Sequence, residues 1–283
     1  MSENVITSYK GFDKDMKCRD FQYEVGKEYN MDGEIKCRNR GFHACKSPLE
    51  VWDYYDMLNS RFAEVEQSGK IDEEEKSTKV CSSRIKIKAE LKLADIINIG
   101  VEWLKDITSP FKVKTDGVLN DNGDKKKQIG SSGDYAKIGS SGDYAKIGSS
   151  GDYAKIGSSG GSAQIGSSGG SAKIGSSGGY AKIGSSGGYA KIGSSGGSAK
   201  IGSSGDSAQI DSTGEDSVIM CAGNKSKAKA KVGSWITLAE WEWNDKKNRN
   251  VPVCVKTEYV DGENIKADTW YQLKNGKFVE VNE

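Results

Sequence analysis

Histidine is almost absent from this chain: His43 is the only one in 283 residues. Ser-His-Asp catalysis and His-cluster metal sites are thereby excluded by inventory. Proline is scarce as well, with 3 residues against 36 glycines. Collagen needs glycine at every third position and abundant proline, so the glycine serves another architecture. Charge of one sign is lacking: the formal net charge is +1, which gives no global pull toward nucleic acid or an acidic membrane. No stretch approaches the roughly 18 apolar residues of a membrane span. No apolar run follows Met1, so no secretory signal is expected. Six cysteines without an export signal read as reduced thiols in a cytosol.

What the chain does contain falls into four sections: an α+β domain over 1–107, a polar linker over 108–128, a nonapeptide-repeat β-solenoid over 129–225 and an antiparallel β domain over 226–283. In the first section, "SPLEVWDYY" predicts a helix, with Ser47 as N-cap, Pro48 at the first helical position and Glu50 at capping-box spacing. "RIKIKAEL" alternates Ile85, Ile87, Ala89 and Leu91 with charged residues, as a half-buried strand does. Leu93, Ile96, Ile97, Gly100, Val101 and Leu104 then fall at helical spacing. "VITSYKGF" and "RFAEVEQSG" read as further strands, and "GKIDEEEKSTK" as a solvated loop. Near the C-terminus "WITLAEWEW", "VPVCVKTEYV", "DTWYQL" and "KFVEV" predict a small antiparallel sheet carrying Trp235, Trp241, Trp243 and Trp270. Asn275-Gly276 lies between the last two strands, at a tight hairpin turn.

The middle of the chain repeats every nine residues, marked by Ile129, Ile138, Ile147 and so on to Ile210. From Ile138 onward alanine precedes each isoleucine by two residues, and serine follows each by two. Period two then puts Ala, Ile and Ser on one face of a short strand, with Lys and Gly on the other. "SSGD" or "SSGG" follows as turn chemistry, with glycine expected to supply the positive φ. One nonapeptide cannot close a coil around a core, but two can. About five coils, stacked at about 4.8 Å, then make a rod on the order of 24 Å. A calcium-binding β-roll fits poorly: aspartate falls one position early, and Gly161, Gly170, Gly179, Gly188 and Gly197 replace it in the central units. A bundle of extended glycine helices is the alternative architecture, though no proline or longer turn interrupts the units to reverse it.

The outward positions are the candidate binding residues: Tyr135, Tyr144, Tyr153, Tyr180 and Tyr189, with Lys137, Lys146, Lys155, Lys173, Lys182, Lys191 and Lys200. They serve either as a soluble coat that blocks lateral aggregation or as a contact face with aromatic anchors and cations. Cys18, Cys37, His43 and Cys45 lack zinc-knuckle spacing, so no metal and no cofactor is expected. Basic "NKSKAKAKVG" reads as a solvated edge rather than a nucleic-acid site.

Three resemblances bear on function. "VITSYKGFDKDMKCRDFQYEVGKEY", "GFHACKSPLEVWDYY" and the C-terminal "GSWITLAEW", together with the repeats, resemble an uncharacterised family of phages and prophages of gut Firmicutes. That resemblance implies a mobile-element setting in the cytoplasm of a bacterial host. "DSVIMCAGNKSKAKAKVGSW" is similar to the head repeats of trimeric autotransporter adhesins, although Cys221 and the lysine run depart from their cadence. It implies that the coiled β structure continues there, and that the chain can oligomerise as a trimer or dimer. "SYKGF", "GFHACKSPLEVWDYY" and "RFAEVE" resemble, in order, the motifs of ADP-ribosyltransferase-like folds. This implies His43, Glu64 and Glu66 as candidate catalytic residues. Lys10 stands where that family has Arg or His, and "HAC" replaces its Ser-Thr-Ser type motif, so the implied enzyme is a degenerate one. The leading expectation is a non-enzymatic interaction or scaffold protein. Its solenoid spaces end domains and presents them to a host or phage protein, with a role in modulating host defence, and it engages neither membrane nor nucleic acid. The alternative is the degenerate ADP-ribosyltransferase.

Overall fold

The structure, a computed structural model, describes residues 4–282 apart from 75–76, 108–117 and 121–127. The chain divides into two compact units, Met1–Trp103 and Leu104–Glu283. It is mainly β, with an N-terminal α+β region, a central β-solenoid and C-terminal antiparallel strands. Among the described residues no helix is long and apolar enough to cross a membrane.

The N-terminal unit contains β1 (Ile6–Phe12), β2 (Lys17–Cys18), β3 (Phe21–Gln22), β4 (Glu28–Asn30), β5 (Phe42–Cys45), β6 (Arg61–Glu73) and β7 (Lys79–Leu91), and α1 (Leu93–Ile107) begins in it. Its sheet runs β4-β7-β5-β1-β6, and β6 pairs back onto β7, so β7, β5, β1 and β6 form a ring of pairings. Such closure leaves those strands no free edge. Phe12, Phe42, Ala44, Ala63, Val65, Ile85 and Ile87 form a core cluster. Polar groups inside are paired: Ser8 Oγ donates to Gln67 Oε1 at 2.7 Å, and Gln67 Nε2 donates to the Phe42 carbonyl at 2.7 Å. Ile96, Ile97 and Val101 of α1 are buried, as their helical spacing requires.

Three local expectations change. Pro48–Asp53 is a single 3₁₀ segment, with Pro48 at its start but no side-chain bond from Ser47. Glu50 turns away from the capping box and accepts a hydrogen bond from Thr78 Oγ1 at 2.6 Å. Pro48 to Trp52 are all buried, a pattern that one amphipathic helix face cannot produce. The strand alternation holds at Ile85 and Ile87 but fails at Ala89, which is exposed. A bulge at Glu64/Val65 shifts the register there and rotates the following residues out of the core. Finally, β6 continues through Glu73 and β7 starts at Lys79, so "GKIDEEEKSTK" is mostly strand; residues 75–76 lie outside the described residues.

The second unit is a two-walled solenoid of about six turns. Its strands are β8 (Val118–Asn120), β9 (Gln128–Ser131), β10 (Lys137–Ser140), β11 (Lys146–Ser149), β12 (Lys155–Ser158), β13 (Gln164–Ser167) and β14 (Lys173–Ser176), followed by β15 (Lys182–Ser185), β16 (Lys191–Ser194), β17 (Lys200–Ser203), β18 (Gln209–Ser212), β19 (Val218–Cys221) and β20 (Lys227–Ala230). One wall stacks the odd-numbered strands β9 to β19. The other stacks the even-numbered strands β8 to β20. Each strand from β9 to β18 pairs in parallel with the one 18 residues on, Ile138 beside Ile156 and Ile156 beside Ile174. Two nonapeptides per coil is therefore the observed arrangement. Ala, Ile and Ser point inward as the period-two reading requires; Ala172, Ile174 and Ser176 are each fully buried.

The turn works differently from expectation. The left-handed residue is not glycine but the one before the alanine: Tyr135, Tyr144, Tyr153, Ser162, Ser171, Tyr180, Tyr189, Ser198 and Ser207 all have φ between 55° and 60°. Its N–H points along the stack, as Tyr135 shows by donating to the Asp152 carbonyl at 2.8 Å. Glycine is required for closeness instead. A Cβ on Gly178 would lie 2.0 Å from the Gly160 carbonyl oxygen of the coil before it. Backbones approach here nearer than any side chain permits.

The solenoid also runs past the expected end at 225. β20 and the first residues of β21 (Trp235–Asn244) keep the parallel stacking, Ile219 beside Ile236. Ala228 and Ile236 fill the inward place, while Gly223 and left-handed Lys225 preserve the turn. The coiled continuation expected at 216–235 is thus present. At the other end β8 already pairs with β10, within the stretch expected to be linker; most of 108–128 lies outside the described residues. The C-terminal antiparallel strands form two hairpins rather than one sheet. β21 and β22 (Arg249–Tyr259) extend one wall; β23 (Tyr271–Lys274) and β24 (Lys277–Glu280) extend the other. Asn275 and Gly276, both at positive φ, make the tight turn between β23 and β24. Of the four tryptophans, Trp270 is buried, Trp241 half-buried, and Trp235 and Trp243 exposed.

Candidate functional site

Two places hold the residues singled out by sequence. The first is a cleft of about 760 Å³ in the N-terminal unit. β1 supplies Tyr9 and Lys10, the β2–β3 hairpin supplies Cys18, Arg19 and Phe21, β5 supplies His43 and Cys45, and the segment after the 3₁₀ turn supplies Tyr54 and Tyr55. Tyr55 packs close against the backbone of β1, where a Cβ on Gly11 would meet its ring at 2.3 Å.

Lys10 is the unusual member. It is 4% exposed, and its Nζ donates to the His43 carbonyl at 3.1 Å and lies 3.5 Å from Cys18 Sγ. The rings of Phe12, Tyr23 and Tyr55 surround it at 5.5, 5.5 and 6.0 Å. Burial lowers its pKa, and the nearby cysteines oppose that effect. Cys18 Sγ meets Tyr55 Oη at 2.9 Å. Burial raises the pKa of both Tyr55 and Tyr23 and pushes the Cys45 thiol up to about 12, so these groups are neutral at physiological pH. Burial, then the charge of Lys10, lowers the pKa of His43, whose Nε2 accepts the Arg38 N–H at 3.1 Å.

The three candidate catalytic residues do not gather in this cleft. His43 lines it; Glu64 and Glu66 are not among its lining residues. Glu66 is held by Lys88 at 2.7 Å on the β6–β7 pair, and Glu64 stands opposite Tyr9 in the β1–β6 register. Of the cysteines weighed for zinc, Cys18 faces Lys10 and Tyr55, whereas Cys37 bonds to Asp72 through its N–H at 2.7 Å and its thiol at 3.3 Å. Lys10 as a buried cation was missed by sequence. The available signal was period two: Ser8, Lys10 and Phe12 share one strand face, and Phe12 is core.

The second place is the solenoid surface. The seven lysines divide between the walls: Lys146, Lys182 and Lys200 on one, Lys137, Lys155, Lys173 and Lys191 on the other. The first three are exposed, with Gln164 in their row, beside a trough of about 730 Å³ floored by Gly148, Gly166 and Gly184. Lys155 on the other wall is buried. Toward the C-terminus the exposed row turns apolar: Lys200 is followed by Val218, Trp235 and Tyr259, all exposed. The tyrosines also divide, with Tyr135, Tyr153 and Tyr189 on one edge and Tyr144 and Tyr180 on the other. Tyr135 and Tyr153 stack at 5.0 Å with planes 6° apart. All five are at least half exposed. The aspartates before them bind backbone: Asp134 Oδ1 accepts the Asp152 N–H at 2.8 Å, and Asp143 Oδ1 accepts the Gly161 N–H at 3.0 Å, each 18 residues ahead.

Residues 6–99 match the model of a domain of unknown function (DUF7666). The match covers the N-terminal ring of strands and the start of α1, about one third of the chain, and leaves the solenoid and hairpins outside it. Neither a curated protein nor a solved structure matches the chain. The cleft lies wholly within the DUF7666 match, and the tyrosine edges lie wholly outside it.

Proposed function

We propose that the chain is a non-enzymatic interaction protein whose solenoid acts as a spacer and as a contact surface for a protein partner. The setting is that implied by the sequence resemblance, a phage or prophage product in a bacterial cytoplasm with a host or phage protein as partner. The observation carrying this reading is the conformation of the five tyrosines. Each sits at positive φ, which costs a non-glycine residue about 1–2 kcal/mol. Ser162, Ser171, Ser198 and Ser207 take the same conformation at equivalent places, so the turn does not need an aromatic ring. Bulky aromatics, exposed and strained where serine suffices, point outward to a partner rather than inward to stability.

The test replaces all five tyrosines by serine in the full chain. Far-UV circular dichroism and melting should be unchanged or improved. Partner capture from a bacterial host lysate, scored against wild type by mass spectrometry, should be lost. A variant that captures the same protein equally well removes the contact role of these edges. Transfer of label from NAD to lysate proteins by wild type, lost on changing His43 and Glu66 together to alanine, would replace the non-enzymatic reading with the enzymatic one.

A further inference from the structure

Lys10 offers three N–H donors, and two acceptors face it: the His43 carbonyl and Cys18 Sγ. Among the described residues no carboxylate pairs with it. Buried cations in proteins are ordinarily paired, because leaving one unpaired in a dry site is strongly unfavourable. Burial keeps the Cys45 thiol and the Tyr23 and Tyr55 phenols neutral, so none of these supplies a counter-charge. The three rings about the amine favour the cation, since their faces are electron-rich. The fold therefore holds the Lys10 amine without a carboxylate partner in the lining of an open, aromatic-walled cleft.

The rim has the same sign. Arg19, Arg38 and Lys79 line the cleft, against Asp20 as an acidic lining residue. Arg38 and Lys79 share Glu74. Arg19 is exposed. Arg19 and Arg38 are held at φ 57° and 68°, a conformation uncommon for non-glycine residues, which fixes the backbone that carries them. Tyr9, Phe21, Tyr23, Tyr54 and Tyr55 supply flat apolar wall, and about 760 Å³ suits a small ligand.

We propose that this cleft binds a small aromatic anion, a flat ring system that carries one carboxylate or phosphate directly or through a short linker. The ring stacks among the tyrosines, and the charge meets Lys10 with Arg19 at the rim. This inference concerns the N-terminal domain and stands apart from the contact role given to the solenoid. It also accounts for a fold that keeps a destabilising lysine: the ligand completes the charge pair.

Isothermal titration of the full chain with four probes tests it: adenosine monophosphate, para-hydroxybenzoate, adenosine and inorganic phosphate. At least one aromatic anion should bind, and adenosine and inorganic phosphate should bind about tenfold more weakly or not at all. Binding of adenosine monophosphate but not para-hydroxybenzoate identifies a phosphate ligand, and the reverse a carboxylate; either supports the proposal. Lys10→Met should weaken that binding about tenfold or more while leaving the ligand-free melting temperature equal or higher. Arg19→Ala, a change at the exposed rim, should weaken it several-fold and gives the same readout if Lys10→Met does not fold. The proposal is overturned if no probe binds at millimolar concentration, if adenosine or phosphate alone matches the aromatic anion, or if affinity is unchanged in both variants.

Discussion

The two units solve the problem of burying a β-sheet with opposite materials. The N-terminal unit buries large side chains, Phe12 on β1, Leu49 and Trp52 on the 3₁₀ segment and Met57 after it, beside strands of up to 13 residues with bulges. The solenoid uses Ile, Ala and Ser on four-residue strands, and holds its coils together backbone to backbone. A side-chain core tolerates an exchange of one apolar group for another of similar size. A backbone stack fixes register and glycine placement much more tightly, yet leaves its outward residues free to vary. That freedom is visible at the left-handed turn position, which holds Tyr, Ser, Asp and Lys in different coils.

The strongest way to break this comparison is to disturb register. Deleting residues 155–172 removes two nonapeptides and rejoins Ala154 to Lys173, with every later strand on its own wall. Deleting 155–163 removes one, and sends each later strand to the opposite wall, including those that carry the two hairpins. The one-unit deletion should lower the melting temperature by more than about 10 °C, equivalent to some 3 kcal/mol or more. The two-unit deletion should cost far less, because each coil interacts with its neighbours alone. Equal tolerance of the two deletions, followed by circular dichroism, would show that the walls are interchangeable and the spacer model wrong.

A sharper version uses one substitution at two glycines six residues apart. In Gly178→Ala the new Cβ meets the Gly160 carbonyl oxygen at 2.0 Å, so whole coils must separate. In Gly184→Ala the new Cβ meets nothing within 4 Å. Chemical denaturation should show a loss of about 3 kcal/mol or more for the first. The second should be neutral, or stabilising by up to about 0.5 kcal/mol through the unfolded chain. Similar losses at both sites would mean that glycine serves flexibility rather than close approach.

These two glycines also mark what could be read in the sequence and what could not. Strand faces were legible because Ala, Ile and Ser recur at period two, and the wall count followed from the need to close a coil. The turn was misread because composition assigns positive φ to glycine, whereas only the distance between neighbouring coils reveals which residue lacks room for a Cβ. The hairpins were legible at Asn275-Gly276, but their attachment to separate walls depends on pairings such as Ala228 with Tyr271, which leave no local mark. In the N-terminal domain the strands "VITSYKGF" and "RFAEVEQSG" were plain. The cleft was not, since it is made by residues far apart in sequence, Lys10 with Tyr55 and His43, and a lysine in a strand ordinarily reads as solvent-facing.

A third test concerns the one repeat that places an acid in the outward glycine row. Asp211 stands beside Gly193 in the even-numbered wall, is 4% exposed, and pairs with Lys229 at 3.1 Å. Burial pushes its pKa up to about 6, against the pull of Lys229; Asp268 raises it further and Lys231 opposes. Because the folded value lies above the unfolded one, its contribution to stability is full below about pH 4 and is lost as pH rises through 6. The difference between wild type and Asp211→Asn should therefore change with pH, favouring wild type progressively from pH 7 to pH 5 by on the order of 1 kcal/mol. A difference that is flat across that window would place the titration elsewhere.

The smallest effects separate the two units most cleanly, because the same change is made in each. Ser8 in the N-terminal ring donates its hydroxyl to Gln67 Oε1 at 2.7 Å, and both residues are fully buried. Removing that hydroxyl leaves a buried acceptor without its donor, so Ser8→Ala should cost about 1–3 kcal/mol. Ser176 in the solenoid is buried to the same degree, between Ser158 and Ser194 in the wall, yet among the described residues its Oγ and theirs have no hydrogen-bond partner. Its hydroxyl has been taken out of water with no bond in return. Ser176→Ala deletes that desolvation penalty and loses only the packing of one small atom, so its net effect should stay within about 1 kcal/mol of zero and lean toward stabilisation. Urea denaturation of the two variants measures both. A cost at Ser176 as large as that at Ser8 would mean that the serine row is bonded in solution, and that the solenoid interior is held by side chains as the N-terminal ring is.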